Sequence, residues 1–214
     1  MRKFVLLAAA VFAGLLTIIP VAAASAAPAA GHAVLTTKSP KGPNVKRGAL
    51  LAAGLKGSAT LFAPGTKAGV TCKSGGFTDR VTKNPPAGGT ARELLTRQVF
   101  KKCSVSGVAG AKNVKSVTVI GLPYKTTVGS KGIVLNRART RVTLGTILGT
   151  LVCTYSAAQV KGAALNTGQV NKFSGQTFTL QSGSGACPKS GNFSATFGPV
   201  TDISVKSHPH VFVN

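Results

Sequence analysis

Three carboxylates, Asp79, Glu93 and Asp202, and three histidines, His32, His208 and His210, are the whole stock of acid–base side chains in the chain. Glycoside hydrolysis needs two carboxyl groups flanking the scissile bond, and three scattered acids are poor material for such a pair. Asp79 and Asp202 read instead as turn residues. A serine hydrolase needs a base and an orienting acid beside its nucleophile; no G-x-S-x-G occurs and the histidines lie near the ends. His208 and His210, two apart, would share one side of an extended strand, but Pro209 between them points to an edge or tail, and no acid or cysteine is spare to complete a metal site. The inventory predicts no catalytic centre, no cofactor and no metal.

Cys72, Cys103, Cys153 and Cys187 are even in number and widely spaced, with no close pair of the kind zinc sites use. Two structural disulfides are expected, each contributing about 3 to 4 kcal/mol by restricting the unfolded chain. Spacing leaves three connectivities open. Cys72 with Cys103 and Cys153 with Cys187 is favoured, because each then closes a loop of similar length around a comparable set of strands.

The cations carry the strongest signal. Formal charge is +23, or +21 once Arg2 and Lys3 are removed with a leader. Such a field attracts nucleic acid, anionic lipid headgroups and phosphate-bearing wall polymers, with affinity that falls as salt rises. It also keeps a secreted protein soluble. A chain with few carboxylates to protonate is, in addition, suited to acidic surroundings, and on this count its melting temperature should stay nearly flat down to about pH 3. Arg137, Arg139 and Arg141 alternate with Ala138 and Thr140, so a strand would carry them as a stripe about 7 Å apart that could follow a phosphate backbone. The competing reading is an edge strand charged against edge-to-edge pairing. Lys101, Lys102, Lys112 and Lys115 read as solvated turn and strand-end charges. With no Trp and only Tyr124 and Tyr155, aromatic stacking platforms for sugars or single strands are lacking, and no nucleic-acid reading motif is present. Polyanion binding would therefore be blind to base sequence.

Positioning these residues falls to short strands. Arg2 and Lys3, an apolar run from Phe4 to Ile19, Pro20 and the small residues Ala24-Ser25-Ala26 read as a signal peptide cut after Ala26. The apolar run falls short of the roughly 20 residues of a membrane span, so no transmembrane span is expected in the mature form. Residues 27–41, rich in Ala, Pro, Gly, Thr and Lys, read as a mobile leader, and residues 42–214 as one domain. Runs of Val, Thr, Ile and Phe cut by Gly, Pro, Asn and Ser predict strands at Leu94–Cys103, Val114–Leu122, Arg139–Thr146, Thr150–Ala157, Gln176–Gln181 and Asn192–Phe197. In the last, Phe193, Ala195 and Phe197 share one face. Only Ala91–Phe100 and Ala49–Leu55 could be helical, and neither is long enough for a helical layer. The predicted fold is all-β: an antiparallel sandwich or partly closed barrel with two disulfides.

The segments GVTC (Gly69 to Cys72), KNPPAGGTA (Lys83 to Ala91), GLPY (Gly121 to Tyr124), LGTLVCTY (Leu148 to Tyr155) and CPKSGNFSATFGPVTD (Cys187 to Asp202) together resemble a family of secreted actinobacterial, Streptomyces-type proteins with a signal sequence and four cysteines. The likeness covers nearly all of Gly42 to Asn214. It implies an origin and an export route, and it brings no catalytic residues. The stretch Asn44-Val45-Lys46-Arg47 departs from those relatives, which carry acidic residues nearby and are less basic. The expectation is a secreted, non-catalytic basic β protein associating with anionic envelope or extracellular polymers. The alternative is a structural or protein-interaction domain adapted to acidic surroundings.

Overall fold

The computed structural model describes residues 31–214, so the expected signal peptide lies outside the described residues. Runs that alternate apolar and polar side chains can bury one face only by closing on themselves or stacking on a second sheet. Here they close. The strands, in chain order, are β1 (Leu35–Thr37), β2 (Leu50–Gly54), β3 (Ala59–Phe62), β4 (Gly69–Lys83), β5 (Ala91–Ser106), β6 (Ala111–Val119), β7 (Tyr124–Gly129), β8 (Gly132–Thr146), β9 (Gly149–Leu165), β10 (Val170–Ser182), β11 (Ser190–Phe197), β12 (Thr201–Asp202) and β13 (Val211–Val213). There is no helix among the described residues, and both segments with helical potential are strands, β2 and the start of β5.

Three pairs of short strands lie end to end. Both β2 and β3 pair with β4, β6 and β7 fill the position between β5 and β8, and β11 and β12 follow β3 and β2 respectively. Pro123 and Pro199 sit at two of the junctions, where a residue without an N–H cannot continue a ladder. Counting each end-to-end pair once gives a closed eight-stranded antiparallel barrel in which every strand bonds to its neighbour in sequence and the last bonds to the first. Of the two expected architectures the barrel is the one formed.

Its interior is filled largely by phenylalanine. Phe77 and Phe197 meet edge to face at 5.4 Å, and Phe100, Phe173, Phe178 and Phe193 continue the cluster at centroid distances of 5.9 to 6.4 Å. Phe193, Ala195 and Phe197 share the inner side of β11 as expected. Tyr124 secures the junction of β6 and β7: its hydroxyl donates to the Ile120 carbonyl and accepts from the Arg139 N–H at 2.9 Å.

The disulfides pair Cys72 with Cys103 and Cys153 with Cys187. Cys72 and Cys103 face each other across β4 and β5, whereas Cys153 ties β9 to the segment joining β10 to β11.

The expected leader needs correction over its described part. Val34, Leu35 and Thr36 are fully buried, and β1 pairs with β13 in a ribbon across one end of the barrel. Asn84 holds it there, its amide accepting from the Leu35 N–H at 2.8 Å and donating to the carbonyls of Leu35 and Val45 at 2.8 and 2.9 Å. A composition poor in large apolar residues concealed one short run, Val34-Leu35, whose burial suffices to order the segment. Gly31–Asn214 accordingly pack as one unit.

Candidate interior site and cationic exterior

Asp79 lies within β4, not in a turn, and it shares the inside of the barrel with Glu93 of β5. A β-bulge brings them together. Gln98 and Phe100 line the interior, so strict alternation would turn Thr96, Leu94 and Arg92 inward as well. The register between β4 and β5 shifts instead between Thr78↔Arg97 and Asp79↔Leu95, and the Thr96 hydroxyl donates to the Thr78 carbonyl at 3.0 Å beside the shift. From there Leu95, Glu93 and Ala91 face inward and Arg92 faces out. A bulge that re-aims side chains in this way is a recurrent device next to functional sites. Asp79 and Glu93 are diagonal neighbours across the strands, exposed by 6% and 5%.

No cation reaches them, because every Lys and Arg of the described residues is exposed. Two buried carboxyl groups without a counter-ion cannot both ionise. Burial pushes Asp79 from its ordinary 3.8 to about 7, a hydrogen bond from Glu93 working against the rise. Burial, joined by the neighbouring Asp79 charge, holds Glu93 well above its ordinary range. At neutral pH the pair therefore keeps a proton on Glu93, which donates to Asp79. Asp79 Oδ1 is left without a hydrogen-bond partner, and so is the hydroxyl of Thr126, which stands opposite Glu93 on β7 and is 5% exposed.

Three neighbouring chambers share lining residues. The largest, about 70 Å³, is lined almost wholly by apolar side chains, Phe100, Phe173, Phe178 and Phe193 among them. A chamber of about 30 Å³ shares Gln98, Leu135 and Phe173 with it and adds Asp79, Glu93 and Thr126. The third, about 20 Å³, lies between the carboxyl pair and the ribbon of Leu35, Val211 and Val213. The wall is thinnest between β5 and β6, which share only the pair Val99↔Thr118, and the cavity-lining Phe100, Val117 and Val119 are half-buried there.

Outside, the charges are sorted by sign. Arg2 and Lys3 apart, all 24 remaining lysines and arginines of the chain are exposed, while Asp79, Glu93 and Asp202 are all buried. Arg137, Arg139 and Arg141 are exposed on β8, alternating with buried Ala138 and Val142 around half-buried Thr140. Because β8 has β9 on one side and β6 and β7 on the other, the edge-strand reading of these arginines does not hold. Arg137 adopts a left-handed backbone, φ 58°, opposite the break between β6 and β7. Asp202 does stabilise a turn, accepting from the Ser204 N–H at 2.9 Å. His208 and His210 are exposed on either side of Pro209, and no cluster of three metal-ligating side chains occurs among the described residues.

No helix among the described residues is long and apolar enough to cross a membrane. Comparison with known families, curated proteins and solved structures gives no match for the chain.

Proposed function

We propose that the protein is a secreted, non-catalytic barrel that associates electrostatically with anionic envelope or extracellular polymers. One observation carries this reading: every lysine and arginine of the described residues is exposed, while the side chains of Asp79, Glu93 and Asp202 are all buried. A polyanion meets exposed cations without repulsion from exposed acidic side chains, and each neutralised phosphate releases counter-ions to the solvent. The arginines of β8 are the densest stretch of guanidinium, and they project from a wall strand fixed on both sides. Two disulfides are compatible with an oxidising, extracellular setting.

Retention of the mature protein on immobilised heparin across a salt series tests the proposal. Elution should move steeply with salt. Replacing Arg137, Arg139 and Arg141 by Ala should lower the slope of log affinity against log salt by up to about 3, near one per lost phosphate contact. An unchanged slope removes β8 from the interface, and absence of salt-sensitive retention removes the proposal.

The alternative, a structural or interaction domain adapted to acidic surroundings, draws support from a different observation. The two interior carboxyl groups are more comfortable protonated than ionised.

A further inference from the structure

We infer that the hairpin joining β8 to β9 is a membrane-contact point: its tip, Ile147 and Leu148, enters the interfacial layer of an anionic phospholipid bilayer while neighbouring lysines hold the headgroups. The inference rests on the proposed association with anionic surfaces and names the surface. Ile147 and Leu148 fill a two-residue turn closed by Gly149 at φ 118°. They are exposed by 71% and 98%, and no other large apolar side chain of the described residues exceeds 44%. Turns favour Gly, Pro, Asn, Asp and Ser. Other turns at the same end of the barrel follow that rule, with Pro64-Gly65-Thr66 between β3 and β4 and Gly183-Ser184-Gly185 between β10 and β11. Two adjacent apolar side chains left this exposed add little to folding and point to a contact outside the chain. The tip is held in place, since the Ile147 N–H donates to the Gly110 carbonyl at 3.3 Å, and Val152, 42% exposed, extends the apolar surface along β9.

Charge and size select the occupant. Lys112 follows Ala111, which pairs with Thr146 beside the tip, and Lys115 Nζ donates to the Thr150 hydroxyl at 2.6 Å, two residues past Leu148. Lys67, in the turn between β3 and β4, lies at the same end of the barrel, where Ser106 donates to its carbonyl at 2.8 Å. All three lysines are exposed, and no exposed acidic side chain opposes them. An apolar tip flanked by cations matches a surface that is anionic outside and apolar beneath. A second copy of the chain fits poorly, because it would bring like charges together and two side chains fall far short of the roughly 800 Å² per partner of a stable protein interface. A soluble polyanion would engage the lysines and leave the tip in water.

The chain has no Trp, so Leu148→Trp supplies a single fluorescent reporter at the tip, and Val205→Trp, in the segment between β12 and β13 at the opposite end, supplies the control. Each is titrated with vesicles of phosphatidylcholine and phosphatidylglycerol. Emission of Leu148→Trp is expected to shift to the blue and to be quenched by brominated acyl chains, and that of Val205→Trp to stay unchanged. Adding Ile147→Asn, which suits a turn, should weaken partition of the reporter variant at least about tenfold. Adding Lys112→Gln and Lys115→Gln instead should weaken it about fivefold per lysine. No shift, or an equal shift at both positions, overturns the inference. A shift that needs no vesicles and grows with protein concentration assigns the tip to a second copy and overturns the lipid reading. Heparin retention separates the two proposals: salt-sensitive retention without a shift overturns the membrane contact alone, and a shift without retention supports the tip while overturning general polyanion binding.

Discussion

Acid should stabilise this protein. An acid whose folded-state pKa lies above its unfolded value contributes stability that is fully present below the unfolded value and is lost as pH rises towards the folded one. For Asp79 the two values are 3.8 and about 7, which at roughly 1.4 kcal/mol per tenfold in proton affinity is about 4 kcal/mol between pH 7 and pH 4. Glu93 is shifted in the same direction and adds to the effect. Relaxation around the pair and water entry reduce the sum, and a net gain of about 2 to 4 kcal/mol is expected. The measurement is urea unfolding of the disulfide-intact protein at pH 4.5, 5.5, 6.5 and 7.5, in about 0.5 M salt so that repulsion among surface cations is screened. The midpoint should rise steadily as pH falls. In the double variant Asp79→Asn with Glu93→Gln, both groups are neutral at every pH and the trend should vanish. A wild-type midpoint that is flat or falls in acid refutes the reasoning, as does a trend that survives in the double variant.

Two other substitutions probe the wall and the surface. Tyr124→Phe leaves the Arg139 N–H and the Ile120 carbonyl without their side-chain partner at the junction of β6 and β7, and should cost about 1 to 3 kcal/mol in the same unfolding assay. At the hairpin between β8 and β9, Ile147 and Leu148 are exposed by 71% and 98%, with Lys115 reaching across to Thr150 at 2.6 Å. Replacing both by Ser should weaken sedimentation with anionic phospholipid vesicles while leaving heparin retention unchanged; equal loss on both matrices would show that the tip acts through charge or folding and does not insert into lipid.

The strands and the disulfides were legible because their signals are local. β11 alternates Phe193, Ala195 and Phe197 with polar neighbours, and the four cysteines had no competing chemistry. β4 was less legible, since Gly75 and Gly76 interrupt it; they are needed because a Cβ on Gly75 would fall 2.3 Å from the Val99 carbonyl oxygen of β5. The carboxyl pair was hidden for a different reason. A period-of-two reading that places Gln98 and Phe100 inside must put Glu93 outside, and only the bulge beside Thr96 reverses it. Bulges leave almost no mark in sequence when neither residue is glycine. Nor could sequence show that β8 has neighbours on both sides, because that depends on the closure of the whole barrel.

Burying all three acids separates two properties that composition alone had merged. Few carboxylates suggested a protein indifferent to acid, but two of the few are buried together without a cation, so their protonation weighs on folding far more than their number implies. The exterior, by contrast, holds no carboxylate to titrate, and lysine and arginine stay charged through the same range. Stability and polyanion affinity should therefore respond independently to pH. Between pH 7.5 and pH 6.5 the unfolding midpoint should already rise, while the salt slope of heparin retention stays within about one counter-ion of its starting value. If the slope moves in step with the midpoint, the interior carboxyl groups are coupled to the surface through the fold, and the cationic shell cannot be treated as a fixed electrostatic coat.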